Sequence, residues 1–250
     1  MSPSNYKILG VSMLFAVSVI LLLSFFVTNA IGQISNSTAN SVEISPRNSK
    51  PYGLSYEDHV KDYWKLTLAL NKSGHPWEDQ DGSRCRVGQE KINSSIFYLA
   101  TNSGDESNRI CRIPSGLGLL IPIIIGEASL KEAEKAKIKD LPQLAKSDQD
   151  KMKNLELQIN DKKFTEEEIR KYSVLTTPFN VTFAKDPLFA VKAGGPTVSA
   201  ADGYYVITAP LPKGTYLIHT HGDMCNNQLE CDAKGEPDFT TTVNTKLIVE

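Results

Sequence analysis

The sequence predicts a mainly β (α+β) protein. The expected architecture is an antiparallel β-sandwich or jelly-roll-like domain with a few decorating helices, preceded by one N-terminal apolar helix. Short strand-like runs separated by Gly and Pro turns fill the C-terminal third of the chain. The 250 residues are 40% hydrophobic and 22% charged, which is typical of a folded domain and excludes global disorder. A long apolar run stands near the N-terminus.

The N-terminal apolar run extends from Ile8 to about Val27. A bilayer core of about 30 Å needs roughly 20 apolar residues in a helix, and this run is about that long. Residues 1–30 are therefore either an uncleaved anchor, contacting the membrane through residues 8–28, or a signal peptide cleaved after Ala30. The positive-inside tendency of Lys7 places the rest of the chain outside the cytoplasm. Both alternatives predict an extracytoplasmic protein, anchored in the cell membrane or secreted.

Residues 31–50 are rich in Ser and Asn and predict a flexible linker. The folded domain is expected over residues 51–250. Its first element is a helix over about residues 56–71, because Ser55 and Asp58 resemble a capping box and apolar residues follow at helical spacing.

Three strands are expected between residues 95 and 125. The first run is short and aromatic, the second alternates between polar and apolar residues, and the third is almost continuously apolar: 95–100, 109–113 and 117–125. Pro122 lies inside the third run and indicates a bulge or an edge position there.

Residues 129–171 are dense in charges of both signs and predict a charged helical insertion. A helix is expected from Ser129 to Lys139, which Pro142 would break or kink. Residues 155–159 alternate as a strand does, and a second capping box at Thr165 begins a short helix.

The C-terminal third predicts a series of short strands with Gly and Pro turns between them. The strand-like runs are 178–183, 204–207, 215–218 and 241–249. This pattern is typical of antiparallel sheets rather than of βαβ units.

The four cysteines predict two disulfides, because an even number outside the cytoplasm usually pairs. Three pairings are possible. Cys85–Cys111 and Cys225–Cys231 are favoured, since each pair encloses a local loop. No Cys-x-x-Cys spacing occurs, which disfavours a zinc ribbon.

His219-Thr220-His221 is the sharpest chemical signal in the chain. Side chains alternate along a strand, so both imidazoles would project to one side and could share a Zn²⁺ or Cu²⁺ ion. Asp223 and Met224 follow directly, and Asp223 is the preferred third ligand. The alternative is a pair of strand-end histidines bonded to backbone or water. Beyond this ion the sequence indicates no cofactor.

An acidic loop matches part of a calcium-binding pattern. Positions 1, 3, 5 and 12 of that pattern are occupied by Asp79, Asp81, Ser83 and Glu90. Arg84 stands where the pattern requires glycine. The loop is thus either a polar turn built around Asp81-Gly82 or a generic calcium site.

Enzyme signatures are scarce. No Gly-x-Ser-x-Gly elbow and no phosphate-binding glycine loop occur. Glu127 with Asp202 is a candidate carboxylate pair, but glycosidase chemistry requires a defined separation that the sequence does not show.

Several landmarks recur in a fixed order over residues 51–249. They are Tyr63-Trp64, Cys85 with Gly88-Gln89, Phe97 with Leu99, Cys111 with Pro114-Ser115-Gly116, Ile121-Pro122, Ala201-Asp202-Gly203-Tyr204, and Pro210-Leu211-Pro212-Lys213-Gly214 with Ile218-His219. In these features the chain resembles an uncharacterised group of secreted prokaryotic β-sandwich-like proteins with no assigned function. The resemblance implies an exported sandwich-like domain and no activity. His221 and the segment 225–231 depart from the group.

The sequence therefore predicts an exported domain with a binding or cell-envelope interaction role, without evident catalysis. Its partner would be an extracellular ligand or an envelope protein. The 27 basic and 29 acidic residues give a net charge of −2, so no nucleic-acid partner is expected. The alternative is a metal-binding protein or a metal-dependent enzyme centred on His219 and His221.

Overall fold

The computed structural model describes residues 42–91, 95–191 and 194–250, which form nine strands and four α-helices. The expected anchor or signal peptide at residues 1–30 lies outside the described residues, as does most of the expected linker. Within the described part of the chain, no helix is long and apolar enough to cross a membrane. The predominance of strands confirms the predicted mainly β class.

The strands are β1 (Ile96–Tyr98), β2 (Asp105–Ile113), β3 (Gly118–Ser129), β4 (Met152–Ile159), β5 (Lys162–Phe164), β6 (Phe179–Phe183), β7 (Gly195–Ile207), β8 (Gly214–Met224) and β9 (Phe239–Val249). The helices are α1 (Tyr56–Leu68), α2 (Leu141–Gln149), α3 (Glu166–Arg170) and α4 (Gln228–Lys234).

The strands form two sheets, one with the order β1-β3-β7-β6 and one with the order β2-β9-β8-β4-β5. Most neighbours are antiparallel, as predicted, but β1 pairs with β3 in parallel and so does β2 with β9. The chain passes from β1 to β2 in the other sheet and then returns to β3. Because one strand of the other sheet lies between them in the chain, β1 and β3 run in the same direction. This explains their parallel pairing.

One hydrophobic core contains side chains from both sheets. It joins β1, β3 and β7 of the four-stranded sheet to β2, β4, β8 and β9 of the five-stranded sheet. The register of β3 against β7 shifts between Pro122 and Ile125, so the predicted irregularity at the proline is a bulge in a central strand. Gly203 lies opposite this bulge with φ 151, and a Cβ there would stand 2.7 Å from Ile125 Cα. The glycine therefore permits the close approach of the two strands.

A second core forms where α1 covers the four-stranded sheet. Ser55 accepts a hydrogen bond from the Asp58 backbone N–H at 3.1 Å, which confirms the predicted start of the helix. The helix buries one face, including Tyr63 and Trp64, and ends at Leu68, somewhat before the predicted end.

The segment 129–171 differs from the predicted helical insertion, because it supplies β4 and β5 to the five-stranded sheet. A helix does not form from Ser129 to Lys139, and α2 begins instead at Leu141. Pro142 lies in the first turn of α2, where a missing backbone N–H is tolerated, so it begins a helix rather than breaking one. The predicted strand is confirmed as β4, and the capping box at Thr165 is confirmed at α3.

The described residues of the expected linker, 42–50, are attached to the domain. Ile44 forms an antiparallel bridge with Thr208, and the Ala209 N–H donates to Glu43 O at 2.9 Å. Ile44 also packs against the core between the sheets. The folded domain thus begins earlier than the sequence indicated, because Ile44 pairs with Thr208 and packs against the core although it lies in a polar segment.

Candidate functional site

His219 and His221 lie on the outer face of the five-stranded sheet. Their neighbours Tyr216, Ile218 and Thr220 on β8 are buried, so alternation turns the two imidazoles away from the core. Both rings keep part of their surface exposed, 33% for His219 and 24% for His221.

The hydrogen bonds of His219 define which ring nitrogen carries a proton. Nδ1 lies 2.7 Å from Asn244 Oδ1, an oxygen that only accepts, so Nδ1 donates. The Asn244 amide orientation is consistent with this, since its Nδ2 donates to Glu106 and to Asn108. In the neutral ring Nε2 then carries a lone pair, 3.6 Å from Glu156 Oε2.

His221 forms a second pair with a carboxylate. Its Nε2 lies 3.5 Å from Asp223 Oδ1, and its Nδ1 lies 2.8 Å from Thr242 Oγ1. Asp223 also accepts from Asn154 Nδ2 at 2.7 Å, whereas Met224 lines a cleft elsewhere. The described residues contain no group of three or more His, Cys, Asp or Glu arranged to hold a metal ion. The structure thus forms two histidine–carboxylate pairs rather than one three-ligand group.

Both disulfides are present with the favoured pairing. Cys85–Cys111 joins the loop after α1 to β2 with a Cα–Cα distance of 6.0 Å. Cys225–Cys231 closes the short segment between β8 and α4 with a Cα–Cα distance of 6.2 Å. Disulfides of this kind fit an extracytoplasmic protein.

The acidic loop with the partial calcium pattern is a polar turn against the edge of β2. The buried Asp79 carboxylate accepts from the backbone N–H groups of Gly82 at 3.1 Å and Arg84 at 2.8 Å. The Ile110 N–H donates to Asp81 O at 2.9 Å, which joins the turn to the strand. The oxygens of Asp79 are thus engaged within the loop itself.

Glu127 and Asp202 do not form a pair. Glu127 lies opposite Ala201, and Asp202 lies opposite Gly126, so the two carboxyl groups project from opposite faces of the four-stranded sheet. Burial raises the pKa of Asp202 to about 6, with the charge of Asp150 adding to the effect and Lys146 opposing it.

A cleft of about 430 Å³ opens where β8 ends and where β4 and β9 begin. The strand ends contribute Met152, Met224 and Phe239 to its lining. The bulged part of β3 contributes Ile124 through Glu127, and α1, α2 and the loops contribute the remaining walls. The cleft therefore lies where both sheets, two helices and several loops meet.

Aromatic rings form one wall of this cleft. Trp64 Nε1 donates to Tyr205 Oη at 2.9 Å, and Trp77 Nε1 donates to Tyr63 Oη at 3.2 Å. Phe189 packs with its ring centroid 5.3 Å from that of Trp77 and 6.0 Å from that of Trp64. The polar edges of both indoles are thus satisfied inside the protein, and the wall that they build is apolar.

An acidic pair, Glu127 with Glu132, lies among the polar residues that line the cleft. Ser199 Oγ donates to Glu127 Oε1, and the Ser129 N–H and Oγ donate to Glu132 Oε2 at 3.1 and 2.7 Å. Burial raises the pKa of Glu127 well above its usual range, and the charge of Glu132 and a hydrogen bond with it raise it further. Burial and the neighbouring acid therefore both favour the protonated form of Glu127.

The contact between these carboxyl groups bears on the possible chemistry. Retaining glycosidases need about 5 Å between their two carboxyl groups, and inverting enzymes need more. Glu127 and Glu132 interact directly, so the pair does not match the separation of a glycosidase. The two carboxyl groups can instead accept hydrogen bonds from one ligand group.

Most residues of the cleft carry no recognisable signal in the sequence. Glu127 was a candidate with the wrong partner, whereas Glu132, Trp77 and Phe189 belong to no motif. The one available indication was Pro122, because bulges often lie beside functional sites.

Comparisons with known proteins give no match. No family model matches the chain, and neither a curated protein nor a solved structure is similar to it. The resemblance to secreted prokaryotic proteins stays an expectation, and the cleft and the outer face are the two candidate sites among the described residues.

Proposed function

We propose that the protein is an exported β-sandwich domain, anchored in the membrane or secreted, that binds a small organic ligand in the cleft without catalysis. The core that joins the two sheets supports the sandwich architecture. The two disulfides support an oxidising, extracytoplasmic location.

The observation that carries the proposal is the cleft itself. Its volume of about 430 Å³ lies in the range of roughly 300–1,000 Å³ that small-molecule sites occupy. Its lining also has the usual composition of such sites, with mostly aromatic and aliphatic walls and a few converging polar groups. The raised pKa of Glu127 adds a perturbed titratable group inside the cavity.

The protein contains its own reporter for a binding test. It has 2 tryptophans, Trp64 and Trp77, and both line the cleft. A ligand that enters the cleft should therefore change the intrinsic fluorescence. Three probes with the same phenyl body, phenethylamine, phenethyl alcohol and hydrocinnamate, cover a cation, a neutral molecule and an anion. We expect at least one to give a saturable change with the full-length protein.

Gly126→Leu is the variant that tests the location of binding. A Cβ at Gly126 would lie 3.7 Å from Met152 Cε and 3.8 Å from Asp148 Cβ, which are ordinary contacts, so leucine should fill the cleft without backbone strain. Thr215→Leu, on the exposed outer face of β8, is the matched control. Saturable binding by the wild type and the control, lost in Gly126→Leu, supports the proposal. Absence of saturation by all three probes, or undiminished binding by Gly126→Leu, overturns it.

A metal-binding role at the outer face is the second candidate. The observation that favours it is the free lone pair of His219 Nε2 beside Glu156, with His221 and Asp223 two and four residues further along β8. A ligand that binds only the folded state stabilises it by about 2.7 kcal/mol at a hundredfold excess over Kd. We expect Zn²⁺ or Cu²⁺ to raise the melting temperature of the wild type but not of His221→Ala. Identical melting of both proteins in metal and in chelator rejects this role.

A further inference from the structure

We infer that the ligand of the cleft is an organic cation with an apolar body, such as an amine, whose positive group is held by Glu127 and Glu132 and whose body packs on the aromatic wall. This inference rests on the proposed binding role of the cleft and adds the chemical class of the ligand. It follows from the charge, the hydrogen bonding and the apolar walls of the cavity.

The charge of the lining is strongly asymmetric. Four acidic residues line the cleft, Glu78, Glu127, Glu132 and Asp148, whereas Lys72 is the single basic residue among the described lining residues. At the rim, Asp148 pairs with Lys151 at 3.1 Å, and Glu78 accepts from Ser103. The described part of the chain offers no ion-pair partner to Glu127 or Glu132. The acidic pair thus presents an uncompensated negative charge to the cavity.

The hydrogen bonds orient this charge toward a ligand. The Ser129 and Ser199 hydroxyls and the Ser129 N–H hold one oxygen of each carboxyl group, so the other oxygen of each group remains available to a ligand. A primary ammonium group donates up to three hydrogen bonds and can bond both carboxylates at once, with any proton that they hold released to solvent. An anion would meet repulsion at the same place, and in a partly apolar cavity that repulsion is stronger than in water.

The remaining walls suit an organic cation better than a bare metal ion. Aromatic faces attract cations and also cover the apolar part of an amine. Phe239, Met224 and Met152 add further apolar surface to the lining of the cleft. Hard metal ions prefer a complete set of oxygen ligands, and aromatic and thioether groups do not supply one.

The experiment compares the three phenyl probes on the full-length protein at neutral pH by tryptophan fluorescence. We expect phenethylamine to bind about tenfold more tightly than phenethyl alcohol, and hydrocinnamate to bind most weakly. Because all three share one apolar body, partitioning of the phenyl ring into detergent or lipid does not produce this order.

Two variants assign the preference to the acidic pair. Glu132→Gln keeps an oxygen that accepts from Ser129 but removes the charge, and it should reduce the preference for the amine to below about threefold. Glu167→Gln is the control, since the Glu167 side chain is 86% exposed on α3, outside the cleft. It should retain the wild-type preference.

The outcomes separate the two proposals. Equal affinity for the amine and the alcohol overturns the inference of a cation but leaves the binding role intact. No saturable binding by any probe overturns both. If Glu132→Gln does not fold, the comparison of the three probes on the wild type still decides the charge preference, and Glu127→Gln supplies the second variant.

Discussion

The cleft and the outer face of the five-stranded sheet both bring titratable side chains into pairs, but in opposite surroundings. In the cleft, Glu127 and Glu132 line a cavity that has one aromatic wall, and burial raises the pKa of Glu127. On the outer face, His219 and Glu156 remain exposed by 33% and 43%. The residue types on the outer face look more like a site in the sequence, yet the cleft has the cavity and the perturbed acid. Packing around a group, more than its identity, makes it a candidate for binding.

The outer face also shows how cross-strand pairing engages polar groups. Asn244 accepts from His219 and donates to Glu106 and Asn108, so three neighbouring strands are joined by one side chain. In the cleft, serines bond only one oxygen of each acid. The first arrangement resembles a structural ladder of cross-strand pairs, and the second leaves capacity for a ligand.

The largest expected difference between the two regions is in stability. Trp64→Ala removes a side chain that is 1% exposed, and it should lower the free energy of unfolding by about 3–5 kcal/mol. His221→Ala on the outer face should lower it by less than about 1 kcal/mol. Urea denaturation measures both. Similar losses of stability for the two variants would mean that Trp64, in the aromatic wall of the cleft, is not part of the core.

The disulfides sharpen the comparison with the next largest effect. The double serine variant of Cys85–Cys111, with a sequence separation of 26, should lose about 3–4 kcal/mol of stability. The double serine variant of Cys225–Cys231, with a separation of 6, should lose about 2 kcal/mol. Cys225 follows the cleft residue Met224, so only the second variant should also weaken probe binding. Thermal unfolding and fluorescence titration test the two parts, and weaker binding in the first variant alone would contradict this expectation.

A smaller effect separates a buried acid from an exposed one. Burial raises the pKa of Asp202 from 3.8 to about 6, so between about pH 4 and pH 6 the folded state binds more protons than the unfolded chain. The contribution of Asp202 to stability therefore falls as the pH rises through this window. Asp202→Asn lacks the titrating proton and should gain about 1 kcal/mol relative to the wild type between pH 4 and pH 7, after allowance for solvent screening. Denaturation at several pH values measures this gain.

The control for the pH profile of Asp202→Asn is Asp186→Asn, because Asp186 is an exposed residue of a loop. Its stability relative to the wild type should not follow the same pH window. The contrary outcome is a stability difference between Asp202→Asn and the wild type that does not change between pH 4 and pH 6, or that changes in the opposite direction. Either result would show that the Asp202 carboxyl group stays ionised in the folded protein.

The smallest expected effect belongs to the outer face. Glu156→Gln removes one charge beside His219 at a half-exposed position, and it should change stability by less than about 0.5 kcal/mol in the absence of metal. In the presence of Zn²⁺ or Cu²⁺ the same variant should lose metal-dependent stabilisation if the second candidate function holds. Chemical denaturation with and without the ion measures both. If Glu156→Gln lowered the free energy of unfolding by more than about 1 kcal/mol without metal, the ion pair with His219 would contribute more to stability than its exposure indicates.

Local patterns were predicted well where neighbouring residues decide the structure. The capping residues Ser55 and Thr165 begin helices as expected, and the polar–apolar alternation identified β2 and β4. The prediction that Pro142 breaks or kinks a helix is wrong, because it lies in the first turn of α2. A proline is compatible with the start of a helix and incompatible with its interior, and the sequence does not show which of the two applies. The prediction of a flexible linker over residues 31–50 fails at Ile44 for a related reason, since its pairing partner Thr208 lies far away in the sequence.

The amino-acid sequence by itself determined the mainly β class, the positions of most strands and the favoured disulfide pairs, because these depend on periodicity, turn residues and short loops. Only the tertiary structure decided the parallel pairing of β1 with β3, the choice of a bulge over an edge position at Pro122, and the cleft. Glu127 and Glu132 are near in sequence, but Trp64, Phe189 and Phe239 join them only after both sheets, α1 and the loops have packed. A cavity and a shifted pKa arise from the packing of distant segments, and no local pattern encodes either one.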